Sequence, residues 1–331
     1  MVYAAIDIHK HVFHAAALDV ESGEMHEQRF AASREALRRW ASDVNPVVVA
    51  IEATCGWRWV VRELQAAGLE VQLADPGQAV ALKGKRRRAK TDRLDARWLV
   101  HLLARQMLPR SWLPPEEIQR LRDLTRTRMA LNQDRTRWAQ RLHAFLVHEG
   151  WSCPRARLLT REGRRWVDGL KLDAHARAQV DRLLRLIAGP EEELIELDSE
   201  LRQLAGRDNR LRALQGIYGV GPIIACHLLA EIGDARRFRR ARQLVRVAGL
   251  DPVVLESGES KRRGRLAKAG SPQLRWALVE AAWHARRQGS PDHQLYQAVR
   301  QRAGAQPATL TAARKIARRS YHVLANLEPV R

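Results

Sequence analysis

"VYAAIDI" (residues 2–8), "VFHAAALDV" (12–20) and "MHEQRFAA" (25–32) open the chain as three short runs of strand-compatible residues. Polar turns separate them, which is the spacing of an antiparallel meander. Working outward, "SREALRRWASD" predicts a helix with Ser33 as its N-cap. "PVVVAIE" (46–52) has an unbroken apolar run after Pro46 and reads as a strand buried on both faces. "WRWVVRELQAAG" is an amphipathic helix stopped by Gly68, "LEVQLAD" (69–75) a further strand, and a last helix covers about 91–106. The order is β-β-β-α-β-α-β-α.

Three meandering strands followed by strands reached through helices is the order of the ribonuclease H-like fold, a mixed sheet flanked by helices. An α/β domain of this kind is expected over residues 1–110. "PP" at 114–115 marks a boundary. A helical region with coiled-coil character is expected over 116–206. There Leu124, Leu131, Trp138 and Phe145 recur every seven residues, while Arg128 and Arg135 interrupt the second row between Leu121 and Leu142. Leu194, Leu197, Leu201 and Leu204 form a second apolar row. Such rows suit a bundle within one chain as well as a dimerising coiled coil. A mainly α domain is expected over 208–331. In it "LQGIYGVGPIIACHLLAEIG" (214–233) resembles a helix-hairpin-helix, a turn whose backbone N–H groups, around Gly219 and Gly221, can hold a phosphate. "SGESKRRGRLAKAGS" (257–271) reads as an exposed basic loop leading into the helix "PQLRWALVEAAWHARR".

The chain of 331 residues carries 58 Lys plus Arg against 37 Asp plus Glu, a formal charge of +21. An excess this large points to a polyanionic partner. Cys55, Cys153 and Cys226 are odd in number and lack both disulfide-framework and zinc spacing. No run reaches transmembrane length and "MVYAAIDIHK" lacks the parts of an export signal. The expectation is a cytoplasmic protein with no membrane partner.

The charge is concentrated in "KGKRRRAKTDRLDA" (83–96), where Lys83, Lys85, Arg86, Arg87, Arg88 and Lys90 precede Asp92 and Asp95. One plain reading is a solvated helix approach of mixed charge. The other joins these acids to Asp7, embedded in "AAIDIHK", and Glu52, which ends "VVVAIE". In a ribonuclease H-like sheet, acids on the first and fourth strands converge at one end, and Asp92 and Asp95 share a helix face that can turn toward it. A carboxylate set among apolar strand residues is costly unless paired or bound to a cation. Four hard oxygen donors suit Mg²⁺ or Mn²⁺. Two such ions, roughly 4 Å apart, clamp the attacking and leaving oxygens of a phosphodiester. Asp75, beside Pro76, reads as a turn residue.

The stretches "AAIDIHK", "IEATCGW", "ADPGQAVALKGKRRRAKTDRLDARWL", "LQGIYGVGPIIACHLLAEIGDARRF", "VAGLDPVVLESGES" and "GSPQLRWALVEAAW" resemble the DEDD transposases of insertion sequences. That family has a RuvC-like catalytic domain and a C-terminal domain carrying a serine, and it includes Piv-type DNA invertases and recombinases guided by a bridge RNA. The resemblance implies a metal tetrad of Asp7, Glu52, Asp92 and Asp95. It also implies an essential nucleophile at Ser257, forming a phosphoserine intermediate on DNA. The residues alone read Ser257 only as part of a Ser-Gly turn, with Ser260 and Ser271 nearby and no local base. Arg262, Arg263, Arg265 and Lys268 would steady the scissile phosphate. The implied partners are donor and target DNA, a guide RNA, and further copies of the chain in a dimer or tetramer. A metal-only RuvC-like nuclease and a Piv-like invertase are the alternatives.

Overall fold

The computed structural model describes residues 1–82, 92–152, 157–257 and 260–327, with the side chains of Asp92 and of residues 254–265 left aside. The chain divides into two compact units, Met1–Leu113 and Pro114–Arg331.

In the first unit, β1 (Val2–Ile8), β2 (Val12–Asp19) and β3 (Met25–Ala31) form the expected meander. There follow α1 (Arg34–Val44), β4 (Val48–Glu52), α2 (Trp57–Ala66), β5 (Glu70–Ala74), α3 (Pro76–Leu82), α4 (Asp92–Ala104) and β6 (Arg110–Ser111). The sheet order is β3-β2-β1-β4-β5-β6. β4 runs parallel to β1 and to β5, and β6 closes the edge antiparallel to β5. Ser33 caps α1 as its sequence indicates, its Oγ accepting the Ala36 N–H at 3.2 Å. Two elements were not anticipated. Asp75 does more than turn the chain: its Oδ1 accepts the Gln78 N–H at 2.9 Å and, with Pro76 behind it, starts α3. β6 is two residues long, too short to leave a periodic signature.

Strand parity decides which helix each residue meets. Ala4, Ile6, Ile8, Val49 and Ile51 face one side, packing with Leu37 and Trp40 of α1 and with Val60, Val61 and Leu64 of α2. Ala5, Ala16, Val48, Ala50 and Ala74 face the other, against Ala96, Leu99, Val100 and Leu103 of α4. The alanines keep that second face shallow, so a single helix seats directly on the strands. Asp7 and Glu52 have the parity of Ala5 and Ala50. They therefore belong to the α4 face, one residue beyond Ile6 and Ile51, the last pair in the β1–β4 register.

The second unit comprises α5 (Glu116–His148), α6 (Arg161–Asp168), α7 (Ala174–Arg207), α8 (Asn209–Gln215), α9 (Pro222–Ile232), α10 (Ala241–Val247), β7 (Pro252–Ser257), β8 (Ser260–Leu266), α11 (Pro272–Ala282), α12 (His293–Ala303) and α13 (Ala305–Ala325). α5 and α7 pack antiparallel: Arg128 meets Asp198, while Leu142 and Leu146 share a core with Val180 and Ile187. The fully buried positions of α5 include Leu121 and Leu142, and the seven-residue row of Leu124, Leu131, Trp138 and Phe145 is half-buried. The interrupted row thus faces inward, and its Arg128 is neutralised by Asp198 across the contact. α9 is buried from Ala225 to Ile232, as a helix apolar on every side must be.

The basic segment 257–271 is not a loop throughout. β8 occupies 260–266 and pairs with β7, with Ser257 opposite Ser260. Composition alone misleads here because the ladder satisfies the backbone of a polar strand as well as of an apolar one, and two residues suffice to link a hairpin.

Candidate active site

The ends of β1 and β4 open onto a cavity of about 880 Å³ in the first unit. Asp7, Glu52 and Asp95 line it, from β1, β4 and α4. Residues 45 positions apart are brought side by side by parallel pairing, and α4 delivers the third acid from above the sheet. Asp7 is only 8 % exposed, and His9 Nε2 lies 3.1 Å from its Oδ2. α4 is tied to the sheet beside this point by Arg93 and Arg97, both paired with Glu27 of β3. Those ion pairs fix the rotation of the turn that carries Asp95.

The cavity has a cationic and aromatic rim as well. Lys10, Arg34 and Trp59 line it. Arg34 is held by Glu63, which is 6 % exposed and also binds Arg38 Nε at 2.6 Å. Burial pushes the Glu63 carboxyl up, but the Arg34 and Arg38 guanidiniums override it and hold it below the usual carboxylate range. Trp59 lies under Arg34, 5.7 Å from guanidinium to ring centroid, and stacks on Phe13 at 5.5 Å. Sequence reading passed over His9, Lys10, Arg34 and Trp59. The signal for the first two was their position directly after Asp7 in "DIHK"; nothing local marks Arg34 or Trp59, which reach the site through packing of α1 and α2.

Among the described residues no three His, Cys, Asp or Glu side chains close on one point as a finished metal site. The three acids instead surround a space with room for hydrated ions and a phosphodiester. The donor set fits hard cations, since Mg²⁺ keeps several waters and takes few protein carboxylates. Asp92 begins α4, one turn before Asp95, and its side chain is outside the described residues. Lys83, Lys85, Arg86, Arg87, Arg88 and Lys90 are outside them too.

The remaining candidates lie in the second unit. Ser257 ends β7, and Arg262, Arg263 and Arg265 lie on β8; for these four only the backbone is described. Lys268 is exposed just beyond, with φ 51°. Gly221 caps α9. Gly219 has φ +88°, and a Cβ there would come within 2.5 Å of the Ala281 carbonyl oxygen, so α11 packs where a side chain would be. That close approach explains the glycine by sterics alone.

The class follows from the architecture: a mixed sheet followed by a mostly helical part, compatible with the ribonuclease H-like unit of DEDD transposases. The DEDD transposase pattern of the IS110 group matches residues 4–149, and the pattern described as "Transposase IS116/IS110/IS902 family" matches 211–297. The chain is 33 % identical to a putative transposase, y4rJ, of Sinorhizobium fredii over 82 % of its own length and 73 % of the relative's. It is 26 % identical to the transposase for insertion sequence element IS1328 of Yersinia enterocolitica, covering 84 % of this chain and 81 % of that one. With the transposase for IS1533 of Leptospira borgpetersenii the identity is 25 % over 100 % of this chain and 97 % of the other. The chain belongs to the IS110/IS116/IS902 family of insertion-sequence transposases, enzymes that cut and rejoin DNA. No helix among the described residues is long and apolar enough to cross a membrane.

Proposed function

We propose that this transposase breaks DNA by attack of the Ser257 hydroxyl on a phosphodiester, with Asp7, Glu52, Asp92 and Asp95 holding Mg²⁺ or Mn²⁺ at the reacting phosphate. The observation that carries the reading is the convergence of Asp7, Glu52 and Asp95 on one cavity. Divalent ions bound there would neutralise phosphate charge and stabilise the departing oxygen. As the Ser257 Oγ–P bond forms, one strand's P–O bond breaks; the serine gives up its proton and the released strand oxygen takes one. Attack by a strand hydroxyl on the phosphoserine then reverses the exchange, rejoining DNA and freeing the serine. The placement of Ser257 within the matched stretch 211–297 supports its role.

The other residues have supporting tasks in this scheme. Lys83, Lys85, Arg86, Arg87, Arg88 and Lys90 hold backbone phosphate, and Arg262, Arg263, Arg265 and Lys268 steady the scissile group. The N–H groups at the Gly219–Gly221 turn act as a helix-hairpin-helix phosphate contact. Residues 1–110, 116–206 and 208–331 serve as catalytic, spacing and serine-bearing domains. The long α5–α7 pair acts as a coiled-coil contact in a homo-oligomer, in which one copy's tetrad works with another's serine. A bridge RNA selects donor and target sites. The +21 charge supports a nucleic-acid partner, and the absence of a zinc-finger cysteine spacing is consistent with leaving sequence choice to base pairing.

Ser257→Ala tests the scheme on cognate DNA ends. Loss of both the covalent protein–DNA adduct and strand exchange is expected. Cleavage that persists without an adduct would overturn the serine mechanism and favour a metal-only RuvC-like nuclease.

A further inference from the structure

The second unit carries a run of six arginines within eleven residues, "RRFRRARQLVR" (236–246), which the readings above leave unassigned. The fold uses the first two. Arg236 Nε pairs with Asp234 at 3.0 Å, and Arg237 donates to the Ile232 carbonyl at 3.1 Å and lies over the Phe238 ring. The other four are different. Arg239, Arg240, Arg242 and Arg246 are all exposed, while Phe238, Leu244 and Val245 turn inward and fix which side of α10 faces water. There is no Asp or Glu between 235 and 250. Among the described residues, none of these four guanidiniums has a carboxylate partner.

α13 adds a fifth. It lies along α10, anchored at one end by Arg314 Nε on the Leu250 carbonyl (2.8 Å) and at the other by Tyr321 Oη on the Phe238 carbonyl (3.1 Å). Arg318 falls between those anchors, one turn from Arg314, and is thus exposed on the stretch of α13 that runs beside α10.

An arginine face is self-repelling and costs stability unless an anion is there to meet it. It exposes no apolar residue in the run, so it lacks the centre a protein partner would need. Arg242 and Arg246 stand one helical turn apart, about 6 Å between Cβ atoms, against a rise of about 3.4 Å per nucleotide on each strand. Adjacent or alternate phosphates of one strand fall within their reach. β7, which leads to Ser257, begins at Pro252, five residues after α10 ends.

We propose that the α10 face, made by Arg239, Arg240, Arg242, Arg246 and Arg318, is a sequence-independent docking surface for the sugar–phosphate backbone of a DNA duplex. It would lead that duplex toward the hairpin bearing Ser257. The proposal rests on the transposase reading only for the presence of a nucleic-acid partner.

The test is fluorescence anisotropy of the full chain with a 30-base-pair duplex of arbitrary sequence, as DNA and as RNA, over a range of salt. Arg242→Glu/Arg246→Glu should weaken binding at least tenfold. Arg242→Gln/Arg246→Gln should lower the slope of log K against log salt by about 1.8 for DNA, two phosphate contacts at ~0.9 each. The Lys pair at the same positions should restore most of the affinity. Arg300→Glu/Arg302→Glu, exposed on α12, makes the same change in net charge elsewhere and should have little effect. Loss on DNA, alone or together with RNA, supports the surface; loss on RNA alone overturns DNA as its occupant. If the α10 variants match the α12 control on both duplexes, the docking surface is wrong while the transposase reading stands. A wild-type chain that binds neither duplex would remove both.

Discussion

The two units surround buried acid differently. In the helical unit each buried carboxylate among the described residues, Asp292 and Glu231, meets a basic side chain. Asp292, 3 % exposed, is held by both arms of Arg319, with Nη2 at 2.8 Å, and by Lys315 at 3.7 Å. Glu231 is closed by Arg126 at 3.0 Å and by the Ser271 hydroxyl at 2.9 Å. In the sheet unit Asp7 meets the His9 ring at 3.1 Å and shares a cavity with two further carboxylates, Glu52 and Asp95. Glu63, a few residues away in α2, follows the helical pattern, so the difference belongs to the cavity and not to the sheet unit as a whole. An acid closed by a guanidinium is complete once the chain folds. Acids gathered around one cavity repel one another, and a cation bound among them would relieve that cost.

That contrast can be broken most sharply at the cavity. Asp7→Asn/Asp95→Asn should reduce strand exchange by about a thousandfold or more, because divalent-ion catalysis supplies several kcal/mol. The same variant should melt no lower than the wild type in metal-free buffer. A large fall in melting temperature would place these acids with Asp292, as structural groups. Neutralising the helical pair should do the reverse. Asp292→Asn is expected to cost ~2–3 kcal/mol in urea unfolding, less than a fully buried pair because Arg319 keeps access to water. It should leave the metal dependence of any remaining activity unchanged.

A smaller effect separates a third kind of buried polar group. His227 on α9 is 1 % exposed, edge-on to Trp276, and neither ring nitrogen has a hydrogen-bond partner among the described residues. Burial first, and the nearby Arg128 charge second, lower its pKa to about 4. Above about pH 6.5 it is neutral folded or unfolded. As pH falls toward 4 the unfolded chain takes up a proton that the folded chain refuses, so stability is lost across that window. The loss should be at most ~1.4 kcal/mol per pH unit, and His227→Phe should flatten that part of the curve in denaturation between pH 4.5 and 7. An unchanged slope would mean that His227 is solvated or paired when folded.

Most of the first unit was legible in its sequence. The meander, the Ser33 cap, the strand ending at Glu52 and the helix carrying Asp95 leave periodic or capping signals that depend on near neighbours. β6 and α3 were not legible, the first because two residues show no period, the second because a cap read as a turn. Segment 257–271 misled because strand pairing depends on a partner, here β7, which composition cannot register. Gly219 was legible as a glycine with a purpose, but the reason lay in Ala281, 62 residues away.

For the acid site the division is similar. The residue pattern by itself determined which carboxylates are candidates, since Asp7 and Glu52 interrupt or end apolar runs and Asp95 sits one turn from Asp92 on a helix. Only the tertiary structure decided that Asp7, Glu52 and Asp95 share a cavity, that Arg34 is pinned to its rim by Glu63, and that α13 lies along α10. Parity and capping act over a few residues and are written locally. Which side chains meet across a sheet or between helices depends on strand register and helix packing, which the chain acquires only by folding.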